Sequence, residues 1–277
     1  MKRPAANILI NACGAFVIIV YIIILVCCWL HSADAVPSKN PSKVAHLSID
    51  DVEAFSDLIN NPEEYNSLFD HPVFSLLKSL HEDYGATFTL YTYMYFPARN
   101  TQISNMPEKF RDDFRNSADW LQIGFHWPEP QFNENISVEN FKQGFDGVND
   151  AIARFADSSL IAHTLRLHYF WGHDSLLRNL KNVQCLLCAD DTLRWSYNLS
   201  SLEKKQMYKN HLLKKNGISY RPTDFRIENH VFLKRALRQV QDRDTLVIFT
   251  HEWCLDYNKF RTVVKWLRAN GYEFDRL

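Results

Sequence analysis

Histidine and aspartate side chains stand at or near the ends of several short apolar runs in this chain of 277 residues. The adjacent pair Asp50 and Asp51 closes one run, His126 and His251 close two others, and His168 lies within a fourth. Histidine and carboxylate ligands can hold a divalent metal that polarises a carbonyl and acidifies water. The remaining aspartate and histidine can act as general base and general acid. The set therefore favours hydrolysis without a covalent intermediate.

The elements that would bring these side chains together are strands alternating with helices. Apolar runs rich in β-branched and aromatic residues predict seven strands, at 44–49, 86–94, 121–125, 164–170, 184–189, 218–221 and 245–250. Apolar residues at helical spacing predict helices at 72–84, 107–120, 141–155, 174–180, 231–240 and 260–267. This alternation predicts an α/β fold with a mostly parallel sheet, in which functional residues gather at the carboxyl ends of the strands. The length and the strand count favour an incomplete barrel.

The amino-terminal segment differs from the rest of the chain. Lys2 and Arg3 precede an uncharged stretch of 23 residues, 8–30, which is long enough for a membrane-spanning helix. Residues 33–35 (ADA) resemble a signal cleavage site. Because the basic residues come before the apolar stretch, the remainder is expected outside the cytoplasm in either case.

Three regions follow from this pattern. We expect a transmembrane signal anchor or a signal peptide at 1–35, a linker at 36–43 and a catalytic domain at 44–277. The protein is then membrane-anchored with an extracytoplasmic domain, or secreted if the first segment is cleaved. The formal net charge of −1 gives no general attraction for nucleic acid, so we expect no nucleic-acid partner. Dinucleotide, P-loop and serine-hydrolase motifs are absent from the sequence.

Four segments, in order, resemble motifs of the polysaccharide deacetylase family, the carbohydrate esterases with NodB homology. Residues 48–52 (SIDDV) are similar to the first strand of that family, which carries a catalytic base followed by a metal ligand. Residues 85–90 (GATFTL) are similar to its next strand, and 123–126 (IGFH) to the segment with a metal-binding histidine. Residues 247–251 (VIFTH) are similar to the strand that ends in the catalytic acid. The resemblance implies an irregular (β/α)7 barrel of the polysaccharide deacetylase type.

The site that this resemblance implies has a divalent metal, with zinc expected, held by Asp51, His126 and a third ligand. The usual second histidine, four residues after the first, is replaced by Pro130. His168 is therefore the expected third ligand, with Glu129 as the alternative.

The implied reaction removes an N- or O-linked acetyl group from a carbohydrate or cell-surface glycan. Asp50 would take a proton from water, and His251 would protonate the leaving group. The side chains expected to contact the carbohydrate are Arg166, Trp127, Tyr169, Trp171, Asp191 and Trp253.

Other interpretations remain open on the sequence. Asp50 and Asp51 are also typical of a helix start, and His168 of a buried core histidine. The chain could be a catalytically inactive, anchored glycan-binding barrel, or a metal hydrolase acting on a non-sugar amide. Glycoside hydrolysis by Asp50 and Glu252 would leave the histidines without a role.

Overall fold

The computed structural model describes residues 43–277, in an α/β arrangement. Its strands are β1 (Lys43–Asp50), β2 (Phe88–Tyr93), β3 (Tyr95–Phe96), β4 (Thr101–Gln102), β5 (Leu121–Trp127), β6 (Thr164–Leu165), β7 (Cys185–Cys188), β8 (Leu213–Lys215), β9 (Ile218–Pro222), β10 (Phe225–Arg226), β11 (Thr245–His251) and β12 (Tyr272–Phe274). Its α-helices are α1 (Ala54–Asn60), α2 (Pro72–Tyr84), α3 (Arg111–Arg115), α4 (Val138–Phe155), α5 (Asp174–Leu177), α6 (Ser201–Asn210), α7 (Leu233–Arg238) and α8 (Tyr257–Ala269).

The apolar helix and the cleavage site predicted at 1–35, and most of the linker, lie outside the described residues. Among residues 43–277, none of the helices combines the length and the apolar character that crossing a bilayer requires.

Two sheets carry the fold, the larger one parallel and the second one mixed, because β8 pairs with β9 in antiparallel orientation. The larger sheet has the order β10–β11–β1–β2–β5, with β12 also paired to β1, and the second has the order β6–β7–β9–β8. They meet at two places: a bridge joins Ile123 of β5 to Ile161, and only two residues separate β9 from β10. This closure is consistent with the barrel expected from the sequence.

The strands of the larger sheet are buried on both faces because helices cover the outside. All residues of β2 and β5 are buried, and β1 is buried from Ala45 onward. Such strands read as continuous apolar runs in the sequence, which is why β1, β2, β5 and β11 were predictable. The parallel register aligns Asp50 of β1 with His251 of β11, and so brings two predicted site residues side by side.

Local sequence signals set the ends of α2, as predicted. Pro72 occupies its first turn, where the missing N–H costs nothing, and the His71 side chain accepts a hydrogen bond from the Val73 N–H at 3.3 Å. Gly85 ends the helix in the left-handed conformation, with φ of 67°. Apolar side chains on one face of the helix pack into the core, as the helical spacing indicated.

Two predicted elements are shorter than expected. The helix predicted at 107–120 contains only the five residues of α3, after which Ser117 donates a side-chain hydrogen bond to the carbonyl of Asp113 at 2.8 Å and the chain turns into β5. The strand predicted at 164–170 ends at Leu165. A 3₁₀ turn follows at His168–Phe170, with Tyr169 at a φ of 55°. His168 therefore lies in a turn beyond the strand end and not within a strand.

Helix α6 was missed, although its sequence contains a start signal. Ser200 and Glu203 form a capping box, each side chain accepting a hydrogen bond from the backbone N–H of the other. Only Met207 of this helix is buried, so the apolar periodicity that reveals other helices is absent here.

A buried histidine on β1 makes the stability of the domain depend on pH. Burial, reinforced by the charge of Arg166, lowers the pKa of His46 from 6.5 to about 3. Between those values the unfolded chain binds a proton that the folded chain does not, so the free energy of unfolding falls as the pH decreases from 6.5 towards 3.

We expect His46→Leu to remove this pH dependence. In this variant, the decrease in the free energy of unfolding between about pH 6.5 and about pH 5 should be smaller than in the wild type by roughly 2 kcal/mol. Chemical unfolding followed by tryptophan fluorescence at the two pH values measures the difference. His163→Gln, at an exposed histidine, is the control and should leave the pH dependence as it is. If the free energy of unfolding of His46→Leu depended on pH as strongly as that of the wild type, His46 would not be the source of the pH dependence.

Candidate active site

The two adjacent aspartates at the end of β1 point to different partners. Asp51 adopts a left-handed backbone conformation, with φ of 56°. Asp50 pairs with Arg166 at 3.0 Å, whereas Asp51 contacts His126 and His168. A non-glycine residue at positive φ is held there by its surroundings and is common at functional sites. The interpretation of the pair as a simple helix cap is therefore incomplete, because the Asp50 and Asp51 side chains make no cap of α1.

Asp51, His126 and His168 form a cluster with metal-binding potential. Asp51 Oδ1 lies 3.1 Å from His126 Nε2 and 3.4 Å from His168 Nδ1. One ligand atom from each residue lies within 4.8 Å of the other two. Carboxylate oxygen and imidazole nitrogen suit zinc and related divalent metals.

The two histidines of this cluster are oriented through their second ring nitrogens. His126 Nδ1 lies 2.6 Å from the Arg166 carbonyl, and His168 Nε2 lies 3.2 Å from the Pro130 carbonyl. Donation to these carbonyls leaves His126 Nε2 and His168 Nδ1 with lone pairs towards Asp51. Backbone carbonyls commonly fix metal-binding histidines in this way. The donor set therefore fits a divalent metal.

Charge in this cluster centres on Asp51. Burial raises its pKa, but the contacts with His126 and His168 and the hydrogen bond from the Tyr93 hydroxyl outweigh burial and hold the pKa well below its usual range. Trp253 Nε1 also donates to Asp51 Oδ2, at 3.0 Å. Burial lowers the pKa of His168, which favours the neutral imidazole that a metal requires.

Glu129, the alternative third ligand, is not part of this cluster. Pro130, which replaces the expected histidine, contributes only its carbonyl to His168. The structure thus brings His168 to the other two predicted ligands and leaves Glu129 apart.

Asp50 is buried beside an equally buried guanidinium. Arg166 Nη1 donates to Asp50 Oδ1 at 3.0 Å and to Ser48 Oγ at 2.6 Å. The guanidinium carbon lies 4.0 Å from the ring centroid of Phe249. These contacts hold Asp50 at the floor of the site. Arg166, which was predicted to contact substrate, therefore pairs directly with Asp50.

His251 forms a second acid–base pair across the site. Its Nδ1 lies 2.6 Å from Glu228 Oε1, and its Nε2 lies 3.9 Å from Asp51 Oδ2. Burial raises the pKa of Glu228, but hydrogen bonds from His251 and Arg226 outweigh burial and bring that pKa to about 2. Glu228 is therefore a carboxylate that can orient the His251 imidazole, as in hydrolytic triads.

Arg226 and Tyr93 were not among the predicted site residues. Tyr93 ends β2 in the same way that the predicted residues end their strands, so strand position could have revealed it. Arg226 belongs to the two-residue strand β10, which was not predicted from the sequence, so its position was not revealed.

Glu252 takes no part in the site. Its Oε2 accepts backbone hydrogen bonds from Glu53 at 2.8 Å and Ala54 at 3.0 Å, at the start of α1. Burial raises its pKa to about 7. Because this carboxylate is engaged at a helix end, the pairing with Asp50 needed for glycoside hydrolysis is not formed.

Most of these groups open into one cavity of about 760 Å³, although Glu228 and Glu252 do not line it. Asp50, Asp51, His126, His168 and His251 line it together.

Only some of the side chains expected to contact carbohydrate reach this cavity. Tyr169 and Trp253 line it with Arg166, and both aromatic rings are exposed. Trp127 is instead buried, with its ring 5.4 Å from that of Phe141.

Trp171 and Asp191 also lie outside the lining. Trp171 packs beside Trp195, with 5.0 Å between the ring centroids. The Asp191 carboxylate accepts N–H bonds from Leu193 and Arg194 in its own turn. The prediction that Trp171, Asp191 and Trp127 contact the carbohydrate is therefore corrected, because their side chains are engaged in packing or in a turn.

No family model matches the sequence, and no curated protein is detectably similar to it. Solved structures do share its fold. A 4-alpha-glucanotransferase from Thermococcus litoralis matches with a TM-score of 0.56 at 11% identity, over 85% of this chain and 39% of that one.

Two carbohydrate deacetylases are also similar in structure. Peptidoglycan deacetylase PdaC from Bacillus subtilis matches with a TM-score of 0.45 at 13% identity, over 85% of this chain and 88% of that one. A family 4 acetyl xylan esterase from Clostridium thermocellum, solved with a cobalt ion, matches with a TM-score of 0.47 at 12% identity, over 84% of this chain and 87% of that one.

Proposed function

We propose that this chain is a divergent member of the polysaccharide deacetylase family and a metal-dependent hydrolase that removes N- or O-linked acetyl groups from a carbohydrate. The observation that carries the proposal is one cavity that holds three separate pieces of hydrolytic machinery. These are the Asp51–His126–His168 cluster, the buried Asp50 carboxylate and the His251–Glu228 pair.

Asp51 Oδ1, His126 Nε2 and His168 Nδ1 would hold the metal, for which zinc is the proposed identity. When bound, such an ion polarises the acyl carbonyl and increases the acidity of water. The carbonyls of Arg166 and Pro130 keep the two imidazoles turned towards Asp51.

Asp50 is the proposed general base, because its carboxylate is buried at the floor of the cavity and is shielded from bulk water. Arg166 fixes the position of Oδ1 through their 3.0 Å contact. The proton from the attacking water passes to the Asp50 carboxylate.

His251 is the proposed general acid. Its Nδ1 is held by Glu228, so Nε2 faces the Asp51 side of the cavity and can carry the proton for the leaving amine or alcohol. Trp253 stacks on the His251 ring, with 5.2 Å between centroids, and keeps the ring from turning away. Tyr169 and Trp253 offer apolar faces on which a sugar ring can stack.

The proposed location is the outer side of a membrane, with residues 1–35 as anchor, or the exterior if those residues are cleaved. This proposal rests on the 23 uncharged residues at 8–30 and on the basic residues before them.

Metal content tests the function. We expect the purified chain to bind about one equivalent of metal, because the cluster has one open three-ligand site. His168→Ala should lose most of it, and Glu129→Ala should retain it. Elemental analysis of the three proteins, followed by an acetate-release assay on acetylated glycans, gives the result.

Two outcomes would redirect the proposal. Absence of metal even after reloading with zinc would contradict the hydrolase and favour an inactive glycan-binding barrel. Metal binding with acetate release only from non-sugar amides would retain the chemistry and change the substrate.

A further inference from the structure

The exposed large apolar side chains of the described domain are all at one end of the fold. Nine such side chains occur among residues 43–277. Each lies in a loop, or in the first turn of a helix, that follows the carboxyl end of β5, β6, β7, β10 or β11. The most exposed are Leu193 at 93%, Val231 at 83%, Phe232 and Leu202 at 76%, and Trp253 at 71%.

Chance exposure does not explain this distribution. Single exposed apolar residues are ordinary, but they are usually scattered over a surface. Here the turns that lead from each helix into the amino end of the next strand carry none of the nine. We call the group formed by Leu193, Leu202, Val231, Phe232 and Trp253 the apolar rim.

The catalytic cavity accounts for only part of the apolar rim. Leu193 and Trp253 line that cavity, whereas Leu202, Val231 and Phe232 do not. A carbohydrate bound beside His251 would therefore leave three highly exposed apolar side chains in water. The occupant of the rim must be larger than the substrate and apolar over a wide area.

A basic groove adjoins the rim and indicates the charge of the occupant. It has a volume of about 570 Å³ and is lined by Phe232 together with Lys234, Arg235, Arg238 and Lys259. No acidic residue of the described domain lines it. Apolar side chains next to clustered Lys and Arg are the pattern of surfaces that bind anionic bilayers, with apolar groups at the acyl boundary and cations at the headgroups.

We propose that the apolar rim docks on a lipid bilayer containing anionic phospholipids, with a headgroup phosphate in the basic groove. Docking in this way turns the mouth of the catalytic cavity towards the membrane surface. The protein would then act on glycans presented close to that surface.

Hydrogen exchange of the full chain in nanodiscs tests the proposal. Discs of phosphatidylcholine are compared with discs that also contain phosphatidylglycerol. We expect amides at 190–196, 230–233 and 252–257 to exchange about tenfold more slowly in the anionic discs, because lipid contact suppresses local opening. The turn at 216–217, at the opposite end, should exchange equally in both and reports that the fold is intact.

A charge reversal separates lipid docking from other causes of protection. The double variant Lys234→Glu, Arg235→Glu should abolish the tenfold difference, whereas Lys214→Glu, the same change on exposed β8 near the opposite end, should preserve it. Equal exchange of the rim in both lipids, or protection that survives the double variant, would overturn the proposal. Protection that appears without lipid and grows with protein concentration would also overturn it and assign the rim to a second copy of the chain.

Discussion

Replacing Asp50 by asparagine is expected to lower kcat/KM for acetate release by about 10²–10⁴-fold. Asparagine has nearly the same shape as aspartate but cannot accept the proton of the attacking water. Asp50 is not one of the clustered ligand atoms, so the metal content should not change. Steady-state kinetics together with elemental analysis measures both quantities on the same preparation.

The matched control for this prediction is Asp191→Asn. Asp191 also follows a strand, but it lies outside the lining of the cavity and caps its own turn. Its variant should retain nearly full activity. If Asp50→Asn retained wild-type activity, Asp50 would not be the base and the proposed proton path would be wrong. If the variant lost metal along with activity, Asp50 would belong to the metal site instead.

Replacing Arg166 by methionine is expected to destabilise the domain by about 3–5 kcal/mol, because it leaves the buried Asp50 carboxylate without its cation. Both partners are almost fully buried, with side-chain exposures of 1% and 2%. Methionine keeps the length and the apolar contact with Phe249, so the loss reports the missing charge. At the expected size of the domain, the melting temperature should fall by roughly 10 °C or more.

Arg194→Met is the control for the charge effect. Arg194 also lines the cavity, but it is 46% exposed and its contacts with Asp190 and Asp191 are at the surface. Exposed pairs contribute at most about 1 kcal/mol, so this variant should melt close to the wild type. Equal effects of the two substitutions would show that Asp50 is not held as a buried charge. Thermal unfolding followed by circular dichroism distinguishes the two results.

Much of the fold was predictable because its long central strands carry strong local signals. β1, β5 and β11 are largely apolar strands buried on both faces, and each has a polar residue last or next to last that the sequence shows directly. The short elements were less predictable. The β6 segment reads as a seven-residue strand, but only two residues pair, because the chain leaves the sheet at Arg166 to place His168 in a turn.

The predicted substrate contacts show a different limit. Trp127 and Trp253 both follow site histidines in the sequence, and nothing local separates them. Trp127 is enclosed by Phe141 and Phe132, whereas Trp253 is 71% exposed at the rim. Whether an aromatic side chain is buried depends on the segments from other parts of the chain that pack against it.

The polar residues at the carboxyl ends of the strands can be read from the sequence, and their positions predict that Asp50, Asp51, His126 and His251 are neighbours. Strands that are buried on both faces and joined by parallel connections lead to that arrangement. The partners of these side chains depend on the assembled fold, in which Asp50 faces Arg166, Asp51 faces the histidines, and His168 joins the cluster in place of Glu129. These choices depend on the positive φ of Asp51 and on contacts between residues 23 or more positions apart, such as Glu228 with His251. No local pattern encodes such contacts, because they exist only once the strands have assembled around a common cavity.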